Sequence, residues 1–293
     1  MNNLNILFFN NLGENILKFF NPSLKYARSI TKNWFLMNPT HFFIALLSYL
    51  IFVFISYIYY IKYGSKSRHD KTLAAKIAPA ITRSHKSTPL EQMVEKLTPS
   101  YNLLQVLFSL IITLLTVYEA KNRRFSLFYN SVDFSKKNIA LCCWLFYLNK
   151  LVDFVDTILI VLRKKWNQFT FLHVYHHLSV FLIMWVNTSV GYDGDIYYII
   201  VVNSFVHFVM YLYYYLSSVK FKVPIFAKAC VTYLQMLQFL SIILPGFYVL
   251  FVRHYCPYPR KLVGLSFYYC ISLLILFGNF ALHTYIKPKK KTS

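Results

Sequence analysis

His173, His176 and His177 stand together in FLHVYHHLSV, at the head of an apolar run. Spaced i, i+3 and i+4, three imidazoles share one helical face. One histidine on an apolar face is ordinarily a hydrogen-bonded packing residue, whereas three at one place in a lipid-embedded helix are costly enough to mark function. Other apolar runs carry polar residues at helical spacing: Lys150, Asp153 and Thr157 with Asp156 beside them; Asn203, His207, Tyr211 and Tyr214; Thr232, Gln235 and Gln238. Each set is a stripe. Lipid cannot satisfy hydrogen bonds, so such stripes turn toward a bundle interior. The plainer alternative is that the amides join helices and that Lys150 with Asp153 is a structural ion pair.

Two chemistries compete for these residues. In the first the histidines hold metal, as in membrane desaturases and hydroxylases built on histidine boxes. Of the nine histidines, His69, His85 and His254 fall in loops and His41 and His283 near span ends, which leaves four at the site. Asp153 and Asp156 would complete one metal site, but a pair of irons would lack ligands, so no metal is expected. In the second chemistry, a neutral imidazole in an apolar shell attacks a thioester carbonyl and carries the acyl group. Neighbouring His, Lys and Asn donors would then stabilise the oxyanion. A non-catalytic third reading makes the buried His and Asp a proton relay in a seven-span receptor or transporter.

The elements that position these residues follow from composition. Hydrophobic residues make up 57% of the chain and charged ones 14%, against about 25% charged in soluble domains. An all-α, polytopic membrane protein is expected. The formal charge of +21 flanks the apolar runs, which fits membrane topology and a polyphosphate-bearing substrate rather than nucleic acid. The start lacks a secretory layout, so the first span is expected to be the targeting signal. Cys142, Cys143, Cys230, Cys256 and Cys270 show no metal-ligand spacing and no disulfide framework.

Seven spans are expected: 41–62, 103–118, 139–162, 171–190, 195–219, 225–252 and 262–286. They follow an arm over residues 1–40, read as either an interfacial helix or a loose segment, and precede a lysine-rich tail over 287–293. The polar stretch 63–102 reads as a loop with a short helix near LEQMVEKL. The bias of Lys and Arg favours a cytoplasmic C-terminus. With spans alternating in direction, a rise of about 1.5 Å per residue places Asp156, His176, Gln235, Lys150 and His207 between roughly 9 and 18 Å from the cytoplasmic face. One shell of polar residues on four helices is the expected site.

The boxes themselves are specific. Lys150-Leu-Val-Asp153-Phe-Val-Asp156-Thr157 resembles K-x-x-E-x-x-D-T, and His173-Val-Tyr-His176-His177 resembles H-x-x-H-H. Residues 203–214 match N-x-x-x-H-x-x-M-Y-x-Y-Y, and residues 232–238 match T-x-x-Q-x-x-Q. In this order they resemble the ELO family of very-long-chain fatty acid elongases, with Asp153 where Glu is usual. The resemblance implies condensation of a long acyl-CoA with malonyl-CoA to 3-oxoacyl-CoA, carbon dioxide and CoA, without a cofactor. It implies six spans ringing an acyl tunnel that opens to the cytoplasm, with the first span outside.

By position, His176 would accept the acyl group and His207 would hold the oxyanion. His173, His177 and Asn203 would orient or donate, and Lys150, Asp153 and Asp156 would position the CoA or the malonyl carboxylate. Gln235, Gln238, Tyr211, Tyr214 and Thr157 would face substrate, and Arg163, Lys164, Lys165, Lys220 and Lys222 are candidates for the CoA phosphates. The family further implies a homodimer in contact with membrane lipid and, as functional partners, a 3-oxoacyl-CoA reductase, a hydroxyacyl-CoA dehydratase and an enoyl-CoA reductase. Lys290 and Lys291 resemble a dilysine signal for the endoplasmic reticulum membrane. Cys142 or Cys143 shares a side with Cys256, which leaves a disulfide open.

Overall fold

The computed structural model describes residues 3–24, 29–64, 88–224, 226–253 and 255–286, and among them all regular structure is helical. In order these are α1 (Asn3–Phe20), α2 (Pro39–Tyr59), α3 (Pro89–Asn122), α4 (Lys137–Val152), α5 (Phe154–Leu162), α6 (Phe171–Val190), α7 (Ile196–Ser218), α8 (Ala227–Phe247) and α9 (Arg260–Ala281). The loop histidines His69, His85 and His254 and the tail 287–293 lie outside the described residues.

Among the described residues five helices, each counted with any π-helical turn that ends it, are long and apolar enough to cross a membrane: Pro39–Lys62, Pro89–Asn122, Ile196–Ser218, Ala227–Val252 and Arg260–Ile286. Two of the seven expected spans depart from this pattern. The run 139–162 is split, with α4 ending at Val152 and α5 starting at Phe154. At the joint the Asp156 N–H donates back to the Asp153 carbonyl at 3.1 Å, a tight i→i+3 turn that carries the Asp153 carboxylate inward. α6 is unbroken, but its histidines and Asn187 dilute its hydropathy. Every residue from Ile183 to Gly194 is buried. The helix is wrapped by α1, α2, α4 and α9, and protein takes the place of lipid around it.

Of the expected loop over 63–102, residues 65–87 lie outside the described residues, and the short helix expected near LEQMVEKL is the start of a much longer one. α3 begins at Pro89, behind a capping box in which the Glu91 N–H donates to Thr88 Oγ1 at 3.3 Å and the Thr88 N–H to Glu91 Oε2 at 2.8 Å. It then runs 34 residues through Pro99. A proline removes one backbone donor, but packing of α3 along α7 outweighs that loss. Tertiary contact, more than local propensity, sets helix length.

Within the N-terminal arm α1 is helical over Asn3–Phe20, and residues after it cap α6. The Asn21 amide donates to the Val190 carbonyl and the Thr31 hydroxyl to the Thr188 carbonyl, both at 2.7 Å. These carbonyls lie in the last turn, where no intrahelical donor remains. Nearby, Trp185 stacks on Phe42 with ring centroids 4.3 Å apart and planes 9° from parallel. All five cysteines are free. Cys143 faces Thr188 at 3.3 Å, so the structure does not form the disulfide that the topology left open.

Candidate active site

Asp153, delivered by the α4–α5 joint, is almost wholly buried and accepts from three sides. Lys150 Nζ donates to its Oδ2 at 3.0 Å, and Gln105 Nε2 and the Tyr211 hydroxyl donate to its Oδ1 at 2.6 and 3.2 Å. Lys150 is itself fully buried, and its ammonium lies 4.6 Å from the Phe146 ring centroid and 3.5 Å from His207 Nε2. A charge removed from water needs such a shell of partners. The same Tyr211 oxygen lies 2.5 Å from Asp156 Oδ2, so this one phenol, sharing its single proton, ties both acids of α4–α5 to α7.

The imidazoles lie beside this network. His176 and His207 face one another from α6 and α7 with centroids 6.4 Å apart. His173 Nε2 meets Thr157 Oγ1 at 2.9 Å, and Thr157 meets the Tyr49 hydroxyl at 3.1 Å. His177 lies against His173 at 4.2 Å, ring to ring. His176 Nδ1 lies 3.1 Å from the Tyr269 hydroxyl on α9.

His176, Asn203, Gln238 and Tyr269 line an internal cavity whose other walls are mainly apolar, among them Phe146, Val180, Met184, Phe239 and Leu273. A second cavity shares Ile196, Ile199, Ile242 and Ser266 with the first and continues to Phe128, Tyr198, Val249 and Tyr258. The shared walls make them adjacent chambers, with His176, and not His207, in the wall of the first. The buried Asn203 Oδ1 and His207 Nδ1 accept or donate no hydrogen bond among the described residues.

Of the expected shell of Asp156, His176, Gln235, Lys150 and His207, four lie together in this cluster, and Gln235 makes no hydrogen bond to them. The remaining candidates are placed differently. Gln235 donates to Met210 Sδ at 3.4 Å, and Tyr214 is 42% exposed with its ring against Tyr211. Lys220 and Lys222 are exposed. Lys164 pairs with Glu91 at 2.8 Å and the Arg163 guanidinium donates to Thr98 at 3.4 Å, so both are held by the start of α3. Beside them Lys165 has its ammonium pKa pushed down by burial and then by Arg163. Among the described residues no three His, Cys, Asp or Glu side chains are grouped to hold a metal ion.

Sequence reasoning missed Gln105 and Tyr269. For Gln105 the signal existed, since Asn102, Gln105, Ser109, Thr113 and Thr116 form a polar stripe in an apolar run, and all five are buried. For Tyr269 it was weak. Ser266, Tyr269 and Ser272 recur every three residues, but the chain has 25 tyrosines.

The ELO: GNS1/SUR4 family model matches residues 34–293. The chain is 40% identical over 199 residues to fatty acid elongase 6 of Leishmania major, covering 65% of this chain and 51% of that protein. It is 35% identical over 196 residues to human very long chain fatty acid elongase 4, covering 65% and 62%, and 38% identical over 194 residues to human elongase 5, covering 62% and 64%. The matched region therefore spans between half and two thirds of each relative's length. With that match over nearly all of its length and with several helices fit to cross a bilayer, this chain is a multi-pass membrane protein and belongs to the ELO family.

Proposed function

We propose that this chain is the condensing enzyme of fatty acid elongation, a 3-oxoacyl-CoA synthase acting on a long acyl-CoA and malonyl-CoA. The observation that carries the reading is the placing of two imidazoles, 6.4 Å apart, beside a buried Lys–Asp pair and, through His176, in the wall of an apolar cavity. The elongase names of its relatives agree with it.

His176 Nε2 attacks the acyl thioester carbonyl; a C–N bond forms, the C–S bond breaks and CoA leaves as thiolate. Malonyl-CoA then loses carbon dioxide, and the electron pair of the broken C–C bond forms the new bond to the acyl carbon. The C–N bond breaks and the imidazole is regenerated. The neutral His207 offers an N–H donor and the Lys150 ammonium beside it a positive charge toward the oxyanion, where exclusion of water makes them count most. Asn203 Oδ1 and Gln238 turn the substrate head within the cavity, while the acyl chain fills the apolar chambers. No metal or redox cofactor is required by these steps. Arg163, Lys164, Lys165, Lys220 and Lys222 are proposed to meet the CoA phosphates, for which Lys164 would have to exchange Glu91.

The reading carries the topology with it: seven spans, six of them around the tunnel with the first outside, an endoplasmic reticulum membrane, and a cytoplasmic C-terminus. It also implies a homodimer, supplied and followed by the reductases and the dehydratase of the cycle. The test is radiolabelled malonyl-CoA incorporation by purified protein across acyl-CoA lengths. Incorporation that is lost in His176→Ala while the variant still purifies as a folded species is expected; no incorporation with any acyl-CoA, or full activity of the variant, overturns the proposal.

A further inference from the structure

The Tyr269 hydroxyl has one proton and three polar neighbours. It lies 3.1 Å from His176 Nδ1, 3.2 Å from Ser179 Oγ and 3.4 Å from the His176 carbonyl, to which it donates. Ser179 is itself anchored, since its hydroxyl donates to the Tyr175 carbonyl at 2.5 Å. The roles across the Nδ1 contact follow the tautomer: with its proton on the carbonyl the phenol presents a lone pair to Nδ1, and in that arrangement Nδ1 carries the ring proton and Nε2 keeps its lone pair. Among the described residues Nε2 has no hydrogen-bond partner, and His176 and Tyr269 line the same cavity.

We infer that Tyr269 is a positioning residue that fixes His176 as the Nδ1–H tautomer and aims its Nε2 lone pair into the cavity. Which ring nitrogen is protonated is set by the hydrogen bond of the other, and among the described residues Tyr269 is the side chain within hydrogen-bond distance of Nδ1. In the acyl-transfer step the Nδ1 proton stays in place and remains bonded to the phenol oxygen while the C–N bond forms at Nε2. The positive charge gained by the acylated ring is thereby met by an acceptor on its far side. Tyr269 comes from α9, so the tautomer depends on a helix distant in sequence from every polar box.

The inference rests on the proposed acyl-imidazole reading, and the experiment separates the two. Full-length protein in nanodiscs is mixed with a panel of long and very long, saturated and unsaturated acyl-CoAs, without malonyl-CoA. CoA release and acylation of His176 are followed in a single turnover, by thiol titration and by mass. In Tyr269→Phe the rate constant for acylation is expected to fall about tenfold or more, with the half-saturating acyl-CoA concentration unchanged within about twofold.

Tyr175→Phe, which removes a hydroxyl bonded to Ser272 at 2.7 Å on the same pair of helices, is expected to acylate at the wild-type rate. Nitrogen NMR of ring-labelled histidine is expected to show the Nδ1–H form of His176 in wild type and a mixture of tautomers in Tyr269→Phe. An acylation rate unchanged in Tyr269→Phe, or an Nε2–H tautomer in wild type, overturns the role of Tyr269 while the acyl-enzyme stands. Absence of any His176 adduct in wild type overturns both.

Discussion

Lys150 and Asp153 are fully or almost fully buried, and a charge so placed is tolerable only while its partner is present. Removing one member of a buried pair costs about 3–5 kcal/mol, whereas replacing both with apolar groups is often neutral. Lys150→Met should therefore lower the thermal midpoint in detergent by far more than the double variant Lys150→Met/Asp153→Leu. Equal losses in single and double variants would show that the pair is not the unit of stability. Gln105 gives a gentler version of the same argument. Gln105→Leu withdraws the donor at 2.6 Å and leaves Oδ1 to Tyr211, a loss of about 1–3 kcal/mol that the same melting measurement would detect. Gln105 also bears on the shortened acid at position 153. An amide from α3 meets the carboxylate directly, so Asp153→Glu adds a methylene into a filled space and should destabilise by about 1–3 kcal/mol, despite restoring the side chain more usual at this position.

At the scale of elements, polar stripes were the readable signal, and they were readable because lipid forbids unpaired polar groups wherever a stripe occurs. The expectation that Lys150, His176 and His207 cluster follows from that rule together with the depth that alternating spans give them. The same rule, had it been applied to Asn102–Thr116, would have extended the site to α3. What spacing could not show was the joint at Asp153 or the length of α3: its start was partly legible in LEQMVEKL behind the Thr88–Glu91 capping box, but its run through Pro99 depends on packing made after the chain has folded. The α6–α7 turn was similarly hidden. Asp193, buried there, accepts from the Arg123 guanidinium at 2.8 Å and from the Asp133 N–H at 2.6 Å, while Asp195 accepts from the Tyr129 and Asn130 N–H groups at 2.9 and 2.8 Å. Gly194 sits between them at φ +77°, and a Cβ there would lie 3.0 Å from Val132 and 3.3 Å from the Asn130 carbonyl. Both the left-handed backbone and the close approach require glycine, so Gly194→Ala should cost about 1–3 kcal/mol and raise amide exchange in the 125–134 loop. A variant with wild-type stability and exchange would remove this account of the turn.

For the whole molecule, the two chambers decide how much hydrocarbon the proposed reaction can accommodate. Ile196, Ile199, Ile242 and Ser266 belong to both, so the neck between them is built by α7, α8 and α9 together. Ile242 is 7% exposed and packs in a cluster with Phe239, Cys270 and Leu273. Close-packed interiors do not stretch to admit added volume, so a larger side chain at the neck takes its space from the passage. Under the acyl-transfer reading, Ile242→Trp should leave the histidine pair untouched and keep turnover of the shortest accepted acyl-CoA. It should also reduce activity on the longest by about tenfold or more, as a blocked pocket rejects by sterics rather than by a few methylenes of transfer energy. Overpacking itself costs about 1–3 kcal/mol, so the reading is taken as the ratio of long to short products at matched amounts of folded protein. A product distribution unchanged in Ile242→Trp would mean that the acyl chain leaves the first chamber by another route, and the second chamber would then have no part in selecting chain length.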